Sequence, residues 1–336
     1  MISGKASEQN SKKPFNRDGL FLAIRIIVSA GLFSFLIFRN YASLKTVLPE
    51  IRGFNHYYLA ISLILFFAGI YITTVRWDIL LRAQRIYIFK GFLLQSYYIG
   101  FFYSNILPTN VGGDIYRAYD LHKNKGINLH KNISVIFMER FISAAVGTLY
   151  VVTSFFIIYR YINLQIILGF LVLPAAMLIL FLIIIRPGFF KIYSLFRKFS
   201  KLHRVEEKFN EFRCSFFEFK NKLRYIFLSI LACTASQMLF IACYYYVNLY
   251  VKINLDFFSF LFLNPLIILS SNIPVSIGGI GVRENIAVLL LRQFGIAESD
   301  GVIFSLVVLS IIIINSVIGG ITYLAKNIFY KSRGFL

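Results

Sequence analysis

Two arginines occupy the same place in two copies of one short motif. Leu107-Pro108-Thr109-Asn110-Val111-Gly112-Gly113-Asp114-Ile115-Tyr116-Arg117 returns 166 residues later as Ile273-Pro274-Val275-Ser276-Ile277-Gly278-Gly279-Ile280-Gly281-Val282-Arg283. The proline, the glycine pair and the arginine keep identical register. Each copy ends an apolar run, breaks at Pro and Gly-Gly, and is expected to restart as a helix at Asp114 or Val282. A restarting helix turns unpaired N–H groups and the positive end of its dipole toward the break. An arginine in its first turns adds a planar fork of donors suited to phosphate. The glycine pairs permit positive φ and close backbone approach. These residue types at this spacing describe a composite site for an anionic headgroup.

Its candidate residues are Asn110, Gly112, Gly113, Asp114 and Arg117 in the first copy, and Ser276, Gly278, Gly279, Arg283 and Glu284 in the second. Glu139 and Arg140 open the apolar run that follows the first copy and complement Arg117. Glu139 has two readings, a structural partner of an arginine or the carrier of a coupling proton. A plainer reading of the glycines, that they only let helices pack closely, leaves the repeated arginine unexplained.

The elements that must position these residues are membrane helices. The chain is 58% hydrophobic, with 37 Phe and 21 Tyr among 336 residues, well above the roughly 45–50% apolar content of soluble domains. Runs long enough to span a bilayer, about 20 residues, cover Leu20 to Phe38, Tyr57 to Val75, Ser134 to Ile158, Leu164 to Ile185, Ile226 to Val247 and Val302 to Tyr323. The two motif-bearing segments, Gly91 to Leu107 and Phe257 to Ile273, are shorter and end in polar residues. These runs are apolar all round, unlike barrel strands, which alternate with period two. The expected fold is a single all-α, polytopic membrane domain.

Charge sets the expected topology. Residues Arg186 to Arg224 hold eleven Lys/Arg against four Glu, and cytoplasmic loops are the ones rich in Lys and Arg. If the two motif segments are re-entrant, six full spans remain. The tail 1–19, the loop Arg76 to Lys90, the basic loop and the C-terminus with Lys326, Lys331 and Arg333 then all face the cytoplasm. Three full spans separate the copies, so the halves 20–185 and 225–325 form an inverted repeat, one copy facing each leaflet. Broken helices in hydrocarbon leave backbone groups unpaired unless they line protein or a wet cavity. Paired breaks of this kind point to a transporter site at a repeat interface.

Other features narrow the function. In the basic loop, Phe190, Phe196, Phe199, Leu202, Phe209, Phe212, Phe216 and Phe219 interleave with Lys and Arg, as in amphipathic helices on an anionic leaflet. Tethering between two spans argues against nucleic acid as its partner. The first run is too long for a signal-peptide core, and Arg25 within it is expected to snorkel to the interface. Cys214, Cys233 and Cys243, and the four histidines, lack metal or disulfide spacing. No nucleotide motif is present, so no cofactor or metal is expected. Asn132-Ile133-Ser134 fits a glycosylation pattern by chance, at a span edge.

Arg76-Trp77, the Leu107 to Arg117 motif, Glu139-Arg140, and Ile273-Pro274 with Gly278-Gly279-Ile280-Gly281-Val282-Arg283-Glu284 resemble the lysylphosphatidylglycerol synthase transmembrane-region family over Leu20 to Lys326. That family comprises flippase-like integral membrane proteins, found alone, beside glycosyltransferases, or fused to an enzyme that aminoacylates phosphatidylglycerol. The resemblance implies a cell-membrane protein that moves lipid between leaflets. It does not imply synthesis, because aminoacyl transfer in the fused enzyme belongs to a separate soluble domain, and no segment of these 336 residues could be that domain. The substrate classes left open are an anionic or aminoacylated phospholipid and a polyprenyl-phosphate-linked glycolipid. The alternatives are a membrane enzyme or subunit acting on a lipid headgroup, and a scaffold for a partner glycosyltransferase or lipid-modifying enzyme.

Overall fold

The computed structural model describes residues 53–107, 111–158, 203–271 and 276–332, with separate residues between 31 and 41 and between 172 and 184. The expected spans at Leu20 to Phe38 and Leu164 to Ile185 therefore lie largely outside the described residues. So do Arg25, Asn110, Pro108, Pro274 and the loop residues Phe190, Phe196, Phe199 and Leu202.

Nine α-helices make up the described residues: α1 (His56–Ala83), α2 (Lys90–Ile106), α3 (Gly112–Lys125), α4 (Leu129–Ile158), α5 (His203–Phe217), α6 (Leu223–Val251), α7 (Phe257–Ser270), α8 (Val282–Gln293) and α9 (Glu298–Ser332). A single 3₁₀ turn, Glu218–Asn221, joins α5 to α6. Four of the helices, α1, α4, α6 and α9, are long and apolar enough to cross a membrane. At 1.5 Å per residue, the 28 residues of α1 reach about 42 Å. They are apolar on every face, as suits helices with protein on one side and lipid on the other.

Local sequence explains the ends. Asn55 caps α1 by accepting the Tyr57 N–H at 3.1 Å. Leu107, ahead of Pro108, is extended at ψ 151°, as the clash with a following proline ring requires. Gly126 closes α3 in the left-handed region at φ 65°.

The long helices α1 and α6 lie antiparallel along each other. Phe54 meets Tyr250 edge-on at 5.3 Å and Phe66 meets Phe240 at 5.2 Å. Tyr245 then meets Phe257 at the start of α7, and Phe260 meets Phe304 near the start of α9. These contacts define one end of the bundle. At the other end the Gln84 amide donates to the Ser215 carbonyl at 2.8 Å. There the Lys125 and Lys326 ammonium groups lie 4.7 and 4.6 Å from the ring of Phe92. Helices α2 and α3 thus form a hairpin that starts and finishes at the second end. Helices α7 and α8 form another at the first end, where Val288 of α8 packs on Gly301 of α9.

The two halves pack alike. Helix α2 rests on α9 and α7 on α4, each hairpin is closed on itself, and α3 meets α4 as α8 meets α9. Exchanging α1 with α6, α2 with α7, α3 with α8 and α4 with α9 turns each of these pairings into another that is present. The hairpin tips touch: a Cβ on Gly278 would lie 2.7 Å from the carbonyl oxygen of Asn105.

Two expectations need correction. Phe216 and Phe219 do not lie on a lipid surface. They are 5% and 1% exposed: Phe216 packs between Phe137 of α4 and Phe181, with Phe219 edge-on behind it, an aromatic cluster that buries their apolar area inside the protein. The first motif also restarts two residues earlier than expected, so Gly112 and Gly113 are helical rather than at positive φ.

Candidate functional site

Helix α3 begins at the first break, and its inward face carries Asp114 and Arg117. Three residues apart on a helix, they lie on one face, and Arg117 Nη2 donates to Asp114 Oδ1 at 2.6 Å. Arg117 Nη1 donates to Glu139 Oε2 of α4 at 3.0 Å. The other oxygen of Glu139 accepts from Arg76 Nη2 of α1 at 2.7 Å, while Asp114 Oδ2 accepts from Arg140 Nε at 2.8 Å. The result is a chain in the order Arg76, Glu139, Arg117, Asp114, Arg140. It holds three guanidinium groups against two carboxylates, a formal excess of one positive charge.

Burial raises the stakes of each pair, since an unpaired charge in low dielectric costs several kcal/mol. Arg76, Arg117 and Glu139 are all at least nine-tenths buried, whereas the Arg140 side chain is 42% exposed. Arg117 is also sandwiched, its guanidinium carbon 4.8 Å from the Trp77 ring centroid and 4.7 Å from that of Tyr97. Arg76 reaches further, donating to the Ser143 hydroxyl at 2.7 Å and the Cys233 sulfur at 2.9 Å. Its Nε is buried and has no partner among the described residues.

Close packing of the hairpin makes this possible. A Cβ on Gly113 would overlap the Gly100 carbonyl oxygen and the Ser104 hydroxyl, so only glycine lets α3 lie this near α2.

The second break is built differently. Gly278, Gly279 and Gly281 have φ of 57°, 76° and 85°, turning the chain into α8. Glu284, in the first turn of α8, accepts the Gly281 N–H on Oε2 at 2.6 Å. Its Oε1 accepts from both Nε and Nη2 of Arg283, at 3.0 and 2.7 Å. Ser276 is buried, and its hydroxyl has no hydrogen-bond partner among the described residues.

The expected set thus divides into two groups. Asp114, Arg117, Glu139 and Arg140 come together, and Glu139 does pair with Arg117. Arg283 and Glu284 pair with each other. Among the described residues no hydrogen bond or ion pair joins Arg117 to Arg283; what joins the two motifs is the contact of Gly278 with Asn105. Asn110 lies outside the described residues. Arg76, Trp77, Tyr97, Ser143 and Cys233 were not in the set. Arg76 was expected at the start of a cytoplasmic loop; α1 instead continues to Ala83 and buries it, because Glu139 of α4 supplies the partner its charge needs.

Residues 22–320 match the family described as the lysylphosphatidylglycerol synthase TM region. No curated protein and no solved structure matches the chain significantly.

Proposed function

This chain belongs to the lysylphosphatidylglycerol synthase TM-region family, and from that premise we propose that it is a lipid transporter of the flippase type. Its substrate is an amphiphile with an anionic or aminoacylated headgroup, a phospholipid or a polyprenyl-phosphate-linked glycolipid. The two hairpins are re-entrant segments of an inverted repeat in a multi-pass protein of the cytoplasmic membrane. What supports this is that α2 starts and α3 ends at one end of the bundle, α7 starts and α8 ends at the other, and their tips meet at Gly278 and Asn105. In that arrangement each leaflet faces one break, and the segments rich in Lys and Arg lie on the cytoplasmic side with both termini.

The observation that carries the reading is the buried chain of three arginines and two carboxylates beside the first break. A charge in a bilayer costs at least ~2.5–3.5 kcal/mol on insertion scales, so intramembrane charges mark function. The surplus positive charge lies at the partly exposed end, Arg140, where an anionic headgroup is met first. Gly112, Gly113, Gly278 and Gly279 supply close backbone, Ser276 a buried hydroxyl without a partner among the described residues, and Arg283 with Glu284 the charged pair of the second break. Rocking of one half against the other exposes the breaks to one leaflet at a time.

The test is reconstitution in liposomes with labelled lipids of each class, scored by leaflet accessibility. Transfer of one anionic class faster than in protein-free liposomes, and its loss in Arg117→Gln, is the expected result. No acceleration for any class sinks the proposal.

A further inference from the structure

A cavity of about 410 Å³ opens between α2, α3 and α9. None of the arginines or carboxylates of the buried chain lines it. Its walls are graded in polarity. Toward the hairpin tip stand Leu107 and Ile115, apolar and 38% and 62% exposed. Toward the bundle end stand Lys123, Lys326 and Asn327. Ile115 and Lys123 are eight residues apart on α3, about 12 Å, the span of a headgroup and the first part of an acyl chain. Tyrosines fill the stretch between, with Tyr103 stacked on Tyr116 at 4.9 Å and edge-on to Tyr323 at 5.6 Å.

The charges are not balanced. Both carboxylate oxygens of Asp120 accept from the Lys326 ammonium, at 2.6 and 2.8 Å, and Oδ1 also accepts from the Asn124 amide. Lys123 has no carboxylate partner among the described residues; its ammonium lies 5.9 Å from the Tyr119 ring centroid. The cavity therefore offers an unpaired cation and no free carboxylate. Among the described lining residues an ammonium meets no uncommitted carboxylate, whereas an anion meets the Lys123 ammonium. The exposed apolar wall beside it suits an alkyl chain rather than a soluble ion.

We propose that this cavity binds one anionic phospholipid, its phosphate at Lys123 and Asn327 and an acyl chain along Ile115 and Leu107. The cavity meets the first break at Leu107 and Gly112 but holds none of the arginine chain, so the proposal extends the proposed headgroup site outward along α3, and lipid binding here is measured apart from transport.

The test uses the full chain in lipid nanodiscs with Ile115→Trp as reporter. Trp77, the only native tryptophan and fully buried, is the internal reference. The added tryptophan is expected to be quenched by brominated phosphatidylglycerol at an about fivefold lower mole fraction than by brominated phosphatidylcholine, the ratio expected when one lysine meets a net negative headgroup rather than one whose phosphate is neutralised by its own choline. Lys123→Gln abolishes that preference and Lys123→Arg keeps it. Asn327→Asp also abolishes it, which covers the case of a poorly folded Lys123→Gln. Equal quenching by the two lipids, or a preference unchanged in Lys123→Gln, overturns the proposal. Loss of the preference on adding excess inorganic phosphate also overturns it, in favour of a site for soluble phosphate. Transport need not be measured, so failure here leaves the flippase reading standing, and the reverse.

Discussion

At the first break Gly112 and Gly113 lie inside α3, and Gly113 rests on the backbone of Gly100, whereas at the second break Gly278 and Gly279 hold positive φ and make the turn itself. The acidic residue in the first turn differs as well. Asp114 reaches outward to Arg117 and Arg140, so α3 is tied to α4 and through Glu139 to α1. Glu284 stays at home, capping Gly281 and holding Arg283 on its own turn. One motif thus serves as an anchor in the first half and as a self-contained knuckle in the second. Among the described residues, ion pairs tie the α2–α3 hairpin to α4 through Asp114 and Arg117 and to α9 through Asp120 and Lys326, whereas Arg283 and Glu284 pair within α8. For a transporter that rocks one half on the other, the denser ion pairing makes the first half the frame, and Asp120 with Lys326 is the pair that bridges from it to α9.

The largest expected effect tests the anchor. Glu139→Gln leaves two buried guanidinium groups sharing no carboxylate, a change that costs about 3–5 kcal/mol when one partner of a buried pair is removed. Ser305 stands 166 residues on from Glu139 and, among the described residues, hydrogen-bonds within α9, at 2.8 Å to the Val302 carbonyl. Ser305→Ala is expected to cost about 1 kcal/mol or less. Thermal unfolding of the two variants in detergent compares them directly. Equal shifts would break the contrast between the halves.

Glycine substitutions at matched positions come next. Gly112→Ala gains up to about 1 kcal/mol of helix propensity, and its new Cβ meets the Leu107 side chain, whose Cδ1 can turn aside while its Cβ, 2.9 Å away, needs a small shift. Gly278→Ala has no such outlet, because φ is 57° and the neighbour is the Asn105 backbone. A left-handed alanine alone costs about 1–2 kcal/mol. Stability should therefore change by under about 1 kcal/mol at Gly112 and fall by more than about 2 kcal/mol at Gly278. If Gly112→Ala proves the more damaging, the pair at the first break is also a strained turn.

A smaller asymmetry is expected of the arginines. Arg117 uses two nitrogens on two different carboxylates, a fork that lysine cannot copy. Arg283 spends both its bonds on one oxygen of Glu284, which a lysine can still reach. Arg117→Lys should slow lipid transfer about tenfold, equivalent to about 1.4 kcal/mol, and Arg283→Lys about twofold. Transfer rates in liposomes decide, and equal losses would mean that both arginines contact the headgroup itself.

How much of this was legible in the sequence follows from which contacts are local. The breaks and the helix class could be read from spacing, and Glu139 as a candidate partner for Arg117, one of its two readings, because a motif and the apolar run after it are neighbours along the chain. Trp77, Tyr97 and Cys233 could not, since they reach the arginines only once α1, α2 and α6 have packed. The glycine pairs misled in the first copy: positive φ and close approach are both available to glycine, and only the neighbour, Gly100 in one case and Asn105 in the other, decides which is used. Phe216 and Phe219 were read as lipid contacts because interleaved Phe and Lys look the same whether the rings turn to a leaflet or to α4.

The mildest prediction leaves both halves intact and asks only where their ends lie. Asn124 lies at the close of α3, where it donates to Asp120 at 2.7 Å, and Glu298 opens α9 beside the close of α8. A cysteine at Asn124 gives up that one hydrogen bond, about 1 kcal/mol. The background is Cys214, Cys233 and Cys243 replaced, of which Cys214 is the exposed one. If the hairpins come from opposite leaflets, an impermeant thiol reagent labels Asn124→Cys only from the cytoplasm and Glu298→Cys only from outside. Labelling of both from one face removes the inverted repeat. The frame and the knuckle would then lie on the same side of the membrane, and rocking between them could not carry a lipid from one leaflet to the other.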